Sequence, residues 1–455
     1  MSNNRVKCFG MEKGMTNDMT QGKAMKLLVS FMLPVLAGNI FQQFYNVVDS
    51  VIVGQFLGED ALAAVGSTGS VVFLVWGLVS GLTSGFSVVI AQQFGAKNWK
   101  GMKHYESVSI LLCIGIAILM TIVLFLTIDP ILQMMNTDLT IYEDTRGYLS
   151  VLFNGISITF IFNILAGMLR ALGDSKTPLI FLVISSIINI VLDIVFIVNV
   201  KLGVAGAAYA TLIAQFVSAV LCVVHIIRKY DILKLSKKEI EFSFKSAKRL
   251  LAVGVPMGLQ FSITAIGTMI VQASLNTLGT AYIAGFAGAG KIQNITTQAF
   301  PSLGVAMATY VGQNYGAGRI DRIKEGVKAS IVINLCFSIL SMIIIYGLGT
   351  QLMNIFTSDG NVEMIQHGVR YLHIAVWFYI PLGFIYIYRN TLQGLGDGFV
   401  PMMGGVFELI GRAVAIAILA PIFHYDGICM SDPIAWIMAL IPLIPVYYWR
   451  MGKLK

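Results

Sequence analysis

The stretch PLIFLVISSIINIVLDIVFIVN, residues 178–199, is long and apolar enough to form one membrane-spanning helix. About 20 apolar residues, at about 1.5 Å of helical rise each, cross a hydrocarbon core of about 30 Å. The stretch nevertheless contains Asn189 and Asp193, whose spacing of four places both side chains on one helical face. An aspartate within a span costs roughly 2.5–3.5 kcal/mol on insertion, so it normally faces a polar cavity or a water path. This face therefore predicts a site that handles an ion or a proton inside the membrane.

The composition places the whole chain in a membrane. Of its 455 residues, 56% are hydrophobic and only 12% are charged, whereas soluble domains carry roughly 25% charged residues. The net charge of +8 comes from short loops between apolar segments, a pattern that excludes a nucleic-acid partner. The five cysteines are scattered, with no spacing typical of a metal site or a disulfide framework.

Twelve apolar segments of spanning length predict an all-α polytopic membrane protein. They lie near residues 27–56, 61–94, 106–128, 148–170, 178–200, 204–227, 250–277, 281–315, 329–349, 371–393, 401–422 and 433–449. In the second segment, Gly77, Gly81 and Gly85 recur at every fourth position. We interpret them as a smooth ridge for close packing of another helix.

The basic residues predict the orientation. With both termini in the cytoplasm, the outer loops hold only Arg146, Lys201 and Arg370, while most other Lys and Arg lie on the inner side. We expect residues 1–24 to form a cytoplasmic tail and residues 229–249 a cytoplasmic linker lying on anionic lipid. The chain is thus expected in the cell membrane as a multi-pass protein.

The two halves of the chain are related by an internal duplication. Matches recur at a nearly constant offset: Leu57-Gly58 with Leu278-Gly279, Gln92 and Gly95-Ala96 with Gln313 and Gly316-Ala317, and LGDSKTP (172–178) with LGDGFVP (395–401). Each copy holds six spans, so the copies enter the membrane in the same direction. We therefore expect two six-helix bundles, over residues 25–228 and 250–455, in the parallel-repeat plan of secondary transporters.

The quoted motifs resemble one transporter family over nearly the whole chain. GNIFQQFYNVVDSVIVGQFLG, AQQFGAKN and ALGDSKTP in the first half, with LNTLGTAYIAGFA, VGQNYGAGR and QGLGDGFVP in the second, resemble the multidrug and toxic compound extrusion (MATE) transporters. The resemblance implies a V-shaped pair of bundles that exports organic, often cationic or amphipathic compounds in exchange for H⁺ or Na⁺. It implies no enzyme activity and no cofactor, and we expect a monomer with drug-like substrates.

The same resemblance assigns a cation-coupling site. The family's acid on the first span matches Asp49, its Asn and Asp on the fifth span match Asn189 and Asp193, and its Asn on the fourth span matches Asn163. Counting residues from the outer ends of the spans places Asp49 and Asp193 at a common depth. Two close carboxylates repel when both are ionised, so they suit proton exchange or a transiently held Na⁺ rather than a resident metal.

The second half departs from this pattern. Its seventh and tenth spans carry no acid, whereas Lys291 lies in the eighth span and Glu408 and Arg412 lie in the eleventh. Arg412 falls at the position equivalent to Asn189. Glu408 and Arg412, four residues apart, can neutralise each other or contact substrate, and Lys291 can face the cavity or pair with Glu408.

Other functions remain open at this level. A lipid-linked oligosaccharide or polysaccharide flippase of the same superfamily is the main alternative, and a strongly cationic central cavity would favour it. A membrane enzyme would need a catalytic cluster, but the five histidines are isolated in sequence. Weaker candidates for substrate contact are the aromatic residues Tyr45, Tyr148, Phe153, Phe286, Tyr371 and Tyr379.

Overall fold

The computed structural model describes residues 18–236, 239–356 and 361–454, which are almost entirely helical and contain no strand. Most of the expected tail, residues 1–17, lies outside the described residues. The described part of the first half forms α1 (Ala24–Leu57), α2 (Glu59–Gly95), α3 (Trp99–Met134), α4 (Tyr142–Asn154), α5 (Ile156–Ala171), α6 (Lys176–Ile194) and α7 (Val204–Lys229). A π-helical turn, Val195–Asn199, extends α6, and a 3₁₀ turn, Asp231–Leu233, follows α7.

The described part of the second half continues the helical pattern. It forms α8 (Phe244–Leu275), α9 (Thr280–Thr297), α10 (Ala299–Gly316), α11 (Ile320–Asn354), α12 (Val362–Val376), α13 (Tyr379–Gly394), α14 (Phe399–Phe423), α15 (Tyr425–Cys429) and α16 (Ser431–Lys453). The prediction of an all-α polytopic membrane protein is confirmed.

The spans follow the predicted segments. Within the described ranges, nine helices, or eleven if each bent pair is one span, are long and apolar enough to cross a membrane. The bent pairs are α4 with α5, at 47°, and α12 with α13, at 53°. At the first bend, a Cβ on Gly155 would lie 2.2 Å from the Leu212 side chain. The remaining predicted segment, 281–315, is divided between α9 and α10.

Two hydrophobic cores define two lobes, and each core takes a contribution from the other half of the chain. The first lobe runs from the second half of α1 to α7, and its core also includes Leu250 and Val253 from the start of α8. The second lobe runs from the second half of α8 to α16, and its core includes Leu28 and Phe31 from the start of α1. The equivalent helices α1 and α8 therefore exchange their first halves between lobes. The predicted domain boundaries at residues 228 and 250 stay a prediction.

The lobes meet closely along α2 and α8. A Cβ on Gly81 would lie 2.5 Å from Gly258 Cα, and one on Gly85 would lie 2.5 Å from Gly254 Cα. Only glycine allows two helix backbones to approach so closely, so the predicted ridge is confirmed. Nearer the start of α2, a Cβ on Gly69 would meet nothing within 4 Å. The lobes are thus joined on the side where α1 begins and α16 ends, the terminal side, and diverge towards the opposite, far side.

The linker is fastened to the first lobe on the terminal side. Lys103 Nζ on α3 lies 3.0 Å from Glu239 Oε1, and the Ser236 backbone N–H donates to Glu239 Oε2 at 2.8 Å. These contacts, the backbone hydrogen bond foremost, lower the pKa of Glu239 to about 2. Residues 237–238 of the linker lie outside the described residues.

Candidate functional site

Helices α1 and α6 bring the two predicted acids together. The carboxyl groups of Asp49 and Asp193 are direct neighbours. Asp193 is fully buried, Asn189 is 2% exposed one turn earlier, and Asp49 is half-buried. The common depth expected from residue counting therefore corresponds to direct contact between two different helices.

Polar side chains from two further helices complete this cluster. Asn189 Nδ2 donates to Thr211 Oγ1 on α7 at 3.4 Å, and the Tyr45 hydroxyl lies within hydrogen-bonding reach of the same threonine. Tyr148, on α4, is near both acids. Two of the six aromatic candidates thus lie at the acid pair.

The acid cluster contains more acceptors than donors. Among the described residues, no hydrogen-bond donor reaches Asp49 Oδ1, Asn189 Oδ1 or either carboxylate oxygen of Asp193. Buried polar atoms are nearly always paired, and a set of unpaired oxygen atoms is the ligand type that hard cations prefer. The arrangement can hold a proton or a single small cation between α1 and α6.

The fourth candidate, Asn163, makes a different contact. Its Nδ2 donates to the Thr159 backbone carbonyl, one turn earlier on α5, at 2.9 Å. Thr159 Oγ1 in turn donates to Gln215 Oε1 on α7 at 2.8 Å. In the part of the chain that the structure describes, no hydrogen bond joins Asn163 to the acid pair, and its role in coupling stays a prediction.

The second lobe contains a connected network of buried charges. Arg412 Nη2 lies 3.0 Å from Glu408 Oε1, so these two residues form an ion pair on α14. Arg412 Nε also lies 2.9 Å from Asp432 Oδ1 on α16, and Arg389 Nη2 on α13 lies 3.3 Å from Glu408 Oε2. Two arginines and two acids therefore balance each other.

Sequence reasoning missed two members of this network. Asp432 lies in the first turn of α16, one residue before the predicted segment 433–449, while Arg389 lies inside the apolar segment 371–393. A search for every charged residue within the spans would have found Arg389. Lys291 does not join the network: it is exposed, and its ammonium group lies 5.6 Å from the centre of the Phe356 ring.

The duplicated positions carry different chemistry in the two lobes. Arg412 is equivalent to Asn189, and Gly267 is equivalent to Tyr45. A Cβ on Gly267 would lie 2.8 Å from Arg412 Nη1, so the arginine occupies space that a larger residue would fill. In the second lobe a guanidinium group lies between the acids, whereas in the first lobe the acid oxygens face one another.

The remaining aromatic candidates are mostly core residues. Phe153 is 2% exposed, and Tyr371 and Tyr379 are at most 1% exposed. Tyr371, which is equivalent to Tyr148, donates to Asp432 Oδ2 at 2.8 Å and packs against Phe286, with 4.4 Å between ring centres. These contacts make them part of the packing of their lobes.

Two known bacterial proteins match most of the chain in sequence. The chain is 27% identical over 437 residues to the probable multidrug resistance protein YoeA of Bacillus subtilis, covering 93% of each protein. It is 28% identical over 379 residues to the probable multidrug resistance protein YpnP of the same organism, covering 83% of this chain and 84% of that protein. Both relatives match across the two halves of the chain.

A solved structure shares the fold. The outward-facing conformation of a multidrug resistance MATE family transporter of the MOP superfamily superposes with a TM-score of 0.89, at 24% identity, covering 97% of this chain and 99% of that one. This agreement confirms the twelve-span, two-lobe fold. The family model described as MatE matches residues 34–195 and 256–418, one match in each half. Because these matches cover most of its length, the chain belongs to the MatE family of multidrug transporters.

Proposed function

We propose that the protein is a secondary antiporter that exports small organic compounds in exchange for H⁺ or Na⁺ bound at Asp49, Asn189 and Asp193. The observation that carries this proposal is the set of four buried acid and amide oxygens without a donor among the described residues. The repulsion between two adjacent carboxylates is relieved when a proton or a cation binds between them. A change in the distance between the two carboxylates would therefore change the affinity of the site for a cation.

The arrangement of the lobes supports this cycle. The lobes are joined on the terminal side and diverge towards the far side, and Asp49 lies in the half of α1 nearest the far side. A cation from that side can enter the site, and its binding favours a rearrangement that closes the gap. The relatives named as multidrug resistance proteins support drug-like substrates. The cationic or amphipathic character expected from the sequence stays a prediction.

We further propose that the terminal side is cytoplasmic, that the protein resides in the cell membrane and that it works as a monomer. Most Lys and Arg residues lie on the terminal side. On the far side, Arg146 pairs with Asp129 at 2.7 Å, and Arg370 pairs with Asp426, which reduces the positive charge there. A cysteine replacing Ser236, in a background without native cysteines, should resist a membrane-impermeant thiol reagent in intact cells. Ready labelling of this cysteine from outside would contradict the proposed orientation.

The coupling role is tested in liposomes that contain purified protein. Efflux of the cationic dye ethidium is measured under an imposed proton gradient and then under an imposed sodium gradient. Asp49→Asn and Asp193→Asn keep the side-chain size but remove the titratable charge, so both variants should fold and bind dye yet lose gradient-driven efflux. Asp138→Asn is the control, since Asp138 lies in an exposed turn and accepts from Thr140. Normal efflux by both site variants would refute ion coupling at this pair.

The flippase alternative rests on a separate observation. A cavity between the lobes has Arg170 and Arg389 as its charged lining residues and, among the residues that the structure describes, no acidic one. This charge balance suits an anionic lipid-linked substrate. Export of ethidium by the wild-type protein, with no movement of a lipid-linked sugar, would favour the antiporter.

A further inference from the structure

A small cavity lies where the two lobes meet, on the terminal side of the gap between them. It has a volume of about 180 Å³ and takes its walls from α2, α5, α8, α10 and α13. Its charged lining residues are Arg170, from the first lobe, and Arg389, from the second. Because neither lobe alone forms the cavity, a ligand bound there contacts both moving parts of the protein.

The two arginines differ in what neutralises them. Arg389 Nη2 pairs with Glu408, and Gln260 Oε1, in the amide orientation that the neighbouring donors require, accepts from Arg389 Nη1 at 2.7 Å. The guanidinium group of Arg170 makes no hydrogen bond and no ion pair with any described residue. The Glu408 and Asp432 carboxylates are occupied by Arg389 and Arg412. The cavity therefore keeps one unbalanced positive charge, that of Arg170.

Arg170 is half-buried. A partly desolvated guanidinium group without a partner is unfavourable, and charged groups inside membrane proteins normally mark a substrate or ion pathway. Guanidinium groups bind phosphate and carboxylate through two parallel, charge-assisted hydrogen bonds. The cavity is smaller than the roughly 300–1,000 Å³ of sites that enclose a drug-sized ligand. Its size fits a charged headgroup, with the rest of the molecule lying in the wider gap between the lobes.

We propose that Arg170 binds an anionic group, a phosphate or a carboxylate, of an amphipathic substrate that enters between the lobes. The site lies apart from the cation site at Asp49 and Asp193. The proposal adds anionic amphiphiles to the substrates of the export function proposed above, and its role in transport rests on that function. Binding itself requires no ion gradient, so it is measured independently of coupling.

The test compares two single-chain amphiphiles that differ in headgroup charge, dodecyl phosphate and dodecyltrimethylammonium, by thermal unfolding of the purified full chain in dodecyl maltoside. Dodecyl phosphate should stabilise the wild type in a saturable manner. Its apparent Kd should rise about tenfold or more in Arg170→Gln, as expected for a lost charge-assisted contact. Arg170→Lys should keep most of the response, and Lys201→Gln, an exposed charge control, should respond like the wild type. Dodecyltrimethylammonium should affect all four proteins equally.

Removal of Arg170 should not unfold the protein, because its guanidinium group makes no hydrogen bond or ion pair with a described residue that the substitution would break. Equal responses of the wild type and a folded Arg170→Gln to dodecyl phosphate would overturn the proposal. If Arg170→Gln fails to fold, a weaker dodecyl phosphate response of Arg170→Lys supports the proposal, and an unchanged response overturns it.

A parallel series with dioleoylphosphatidate distinguishes the two possible sources of the anionic group, a membrane lipid and a single-chain substrate. If both molecules stabilise the protein in an Arg170-dependent manner, the site binds a lipid headgroup. If only dodecyl phosphate does so, the site binds a single-chain substrate. A protein that binds these anions but fails gradient-driven efflux would refute the coupling proposal and leave the anion site intact.

Discussion

Gln92 and Gln313 occupy equivalent positions in the two halves, and each donates its side-chain amide across the boundary between the lobes. Gln92 Nε2 donates to the Gly394 carbonyl at 2.9 Å, and Gln313 Nε2 donates to the Ala171 carbonyl at 2.8 Å. Both amides are buried, with at most 3% of either residue exposed. This reciprocal pair of hydrogen bonds closes the terminal side.

Breaking this reciprocal pair should open the terminal side. Each buried hydrogen bond contributes about 0.5–1.5 kcal/mol, so Gln92→Ala or Gln313→Ala should raise the population open on the terminal side roughly 2- to 10-fold. The measurement is the labelling rate of a cysteine placed at Ser87, a residue that lines the cavity, in inside-out vesicles of a background without native cysteines. Gln93→Ala is the matched control, since Gln93 accepts from Asn98 within its own lobe. Equal labelling of all variants would contradict a gating role.

The close approach of α2 and α8 should tolerate no side chain. Gly81→Ala places a Cβ against the Gly258 backbone, and such overpacking typically costs about 1–3 kcal/mol. We expect a lower Tm in detergent and faster terminal-side labelling. Gly69→Ala, on the same helix with no atom within 4 Å of the new Cβ, should keep or raise the Tm because alanine favours a helix. An equal decrease in Tm in both variants would show that the decrease arises within α2 and not from its contact with α8.

The charge network of the second lobe should behave as a unit. Removing one partner of a buried ion pair costs roughly 3–5 kcal/mol because the other charge stays buried, so Glu408→Gln and Arg412→Gln should each lower the Tm markedly. The Tm of the double variant should fall by less than the sum of the two single decreases. It should not regain wild-type stability, because Asp432 then lacks its arginine. Arg319→Gln, which breaks the exposed pair with Asp321, should change stability by about 1 kcal/mol or less. Additive losses would rule out coupling between Glu408 and Arg412.

The two asparagines should differ in their effect on transport. Asn189→Ala removes a neutral neighbour of the acid pair, so ethidium efflux should fall, but by less than in Asp49→Asn or Asp193→Asn. Asn163→Ala should leave efflux near normal if its side chain serves only the bond to Thr159. Initial efflux rates in liposomes, at equal protein density, provide the comparison. A loss in Asn163→Ala as large as that of the aspartate variants would place Asn163 in the coupling site.

The fold was largely predictable because membrane insertion imposes simple rules. Apolar length predicts the spans, and the duplicated motifs predict two halves of equal orientation. The common depth of Asp49 and Asp193 was also predictable, since residue counting gives depth directly, whereas their grouping in one site came from the family resemblance. The helix bends were not predictable from the sequence. The bend between α4 and α5 lies at Gly155, where Leu212 from another span approaches, and no local sequence pattern indicates a neighbour so distant in the chain.

The charge network shows where sequence reasoning ends. The spacing of four predicts contact between Glu408 and Arg412, because both lie on α14. The contact between Arg412 and Asp432 depends on how α14 packs against α16, which spacing along one helix does not encode. Similarly, Gln92 and Gln313 were recognised only as repeated residues, because their partners lie on the opposite lobe.

The exchange of the first halves of α1 and α8 has a consequence for biogenesis. The start of α1, with Leu28 and Phe31, is synthesised before the second half of the chain yet packs in the core of the second lobe. The core of the first lobe is incomplete until Leu250 and Val253, at the start of the second half, have been synthesised. Each core lacks part of its packing when the other half is absent, so we expect the nascent chain to hold an incomplete first lobe in the bilayer until the second half has been inserted. Two separately expressed halves should accordingly be degraded alone and rescue each other when they are produced together.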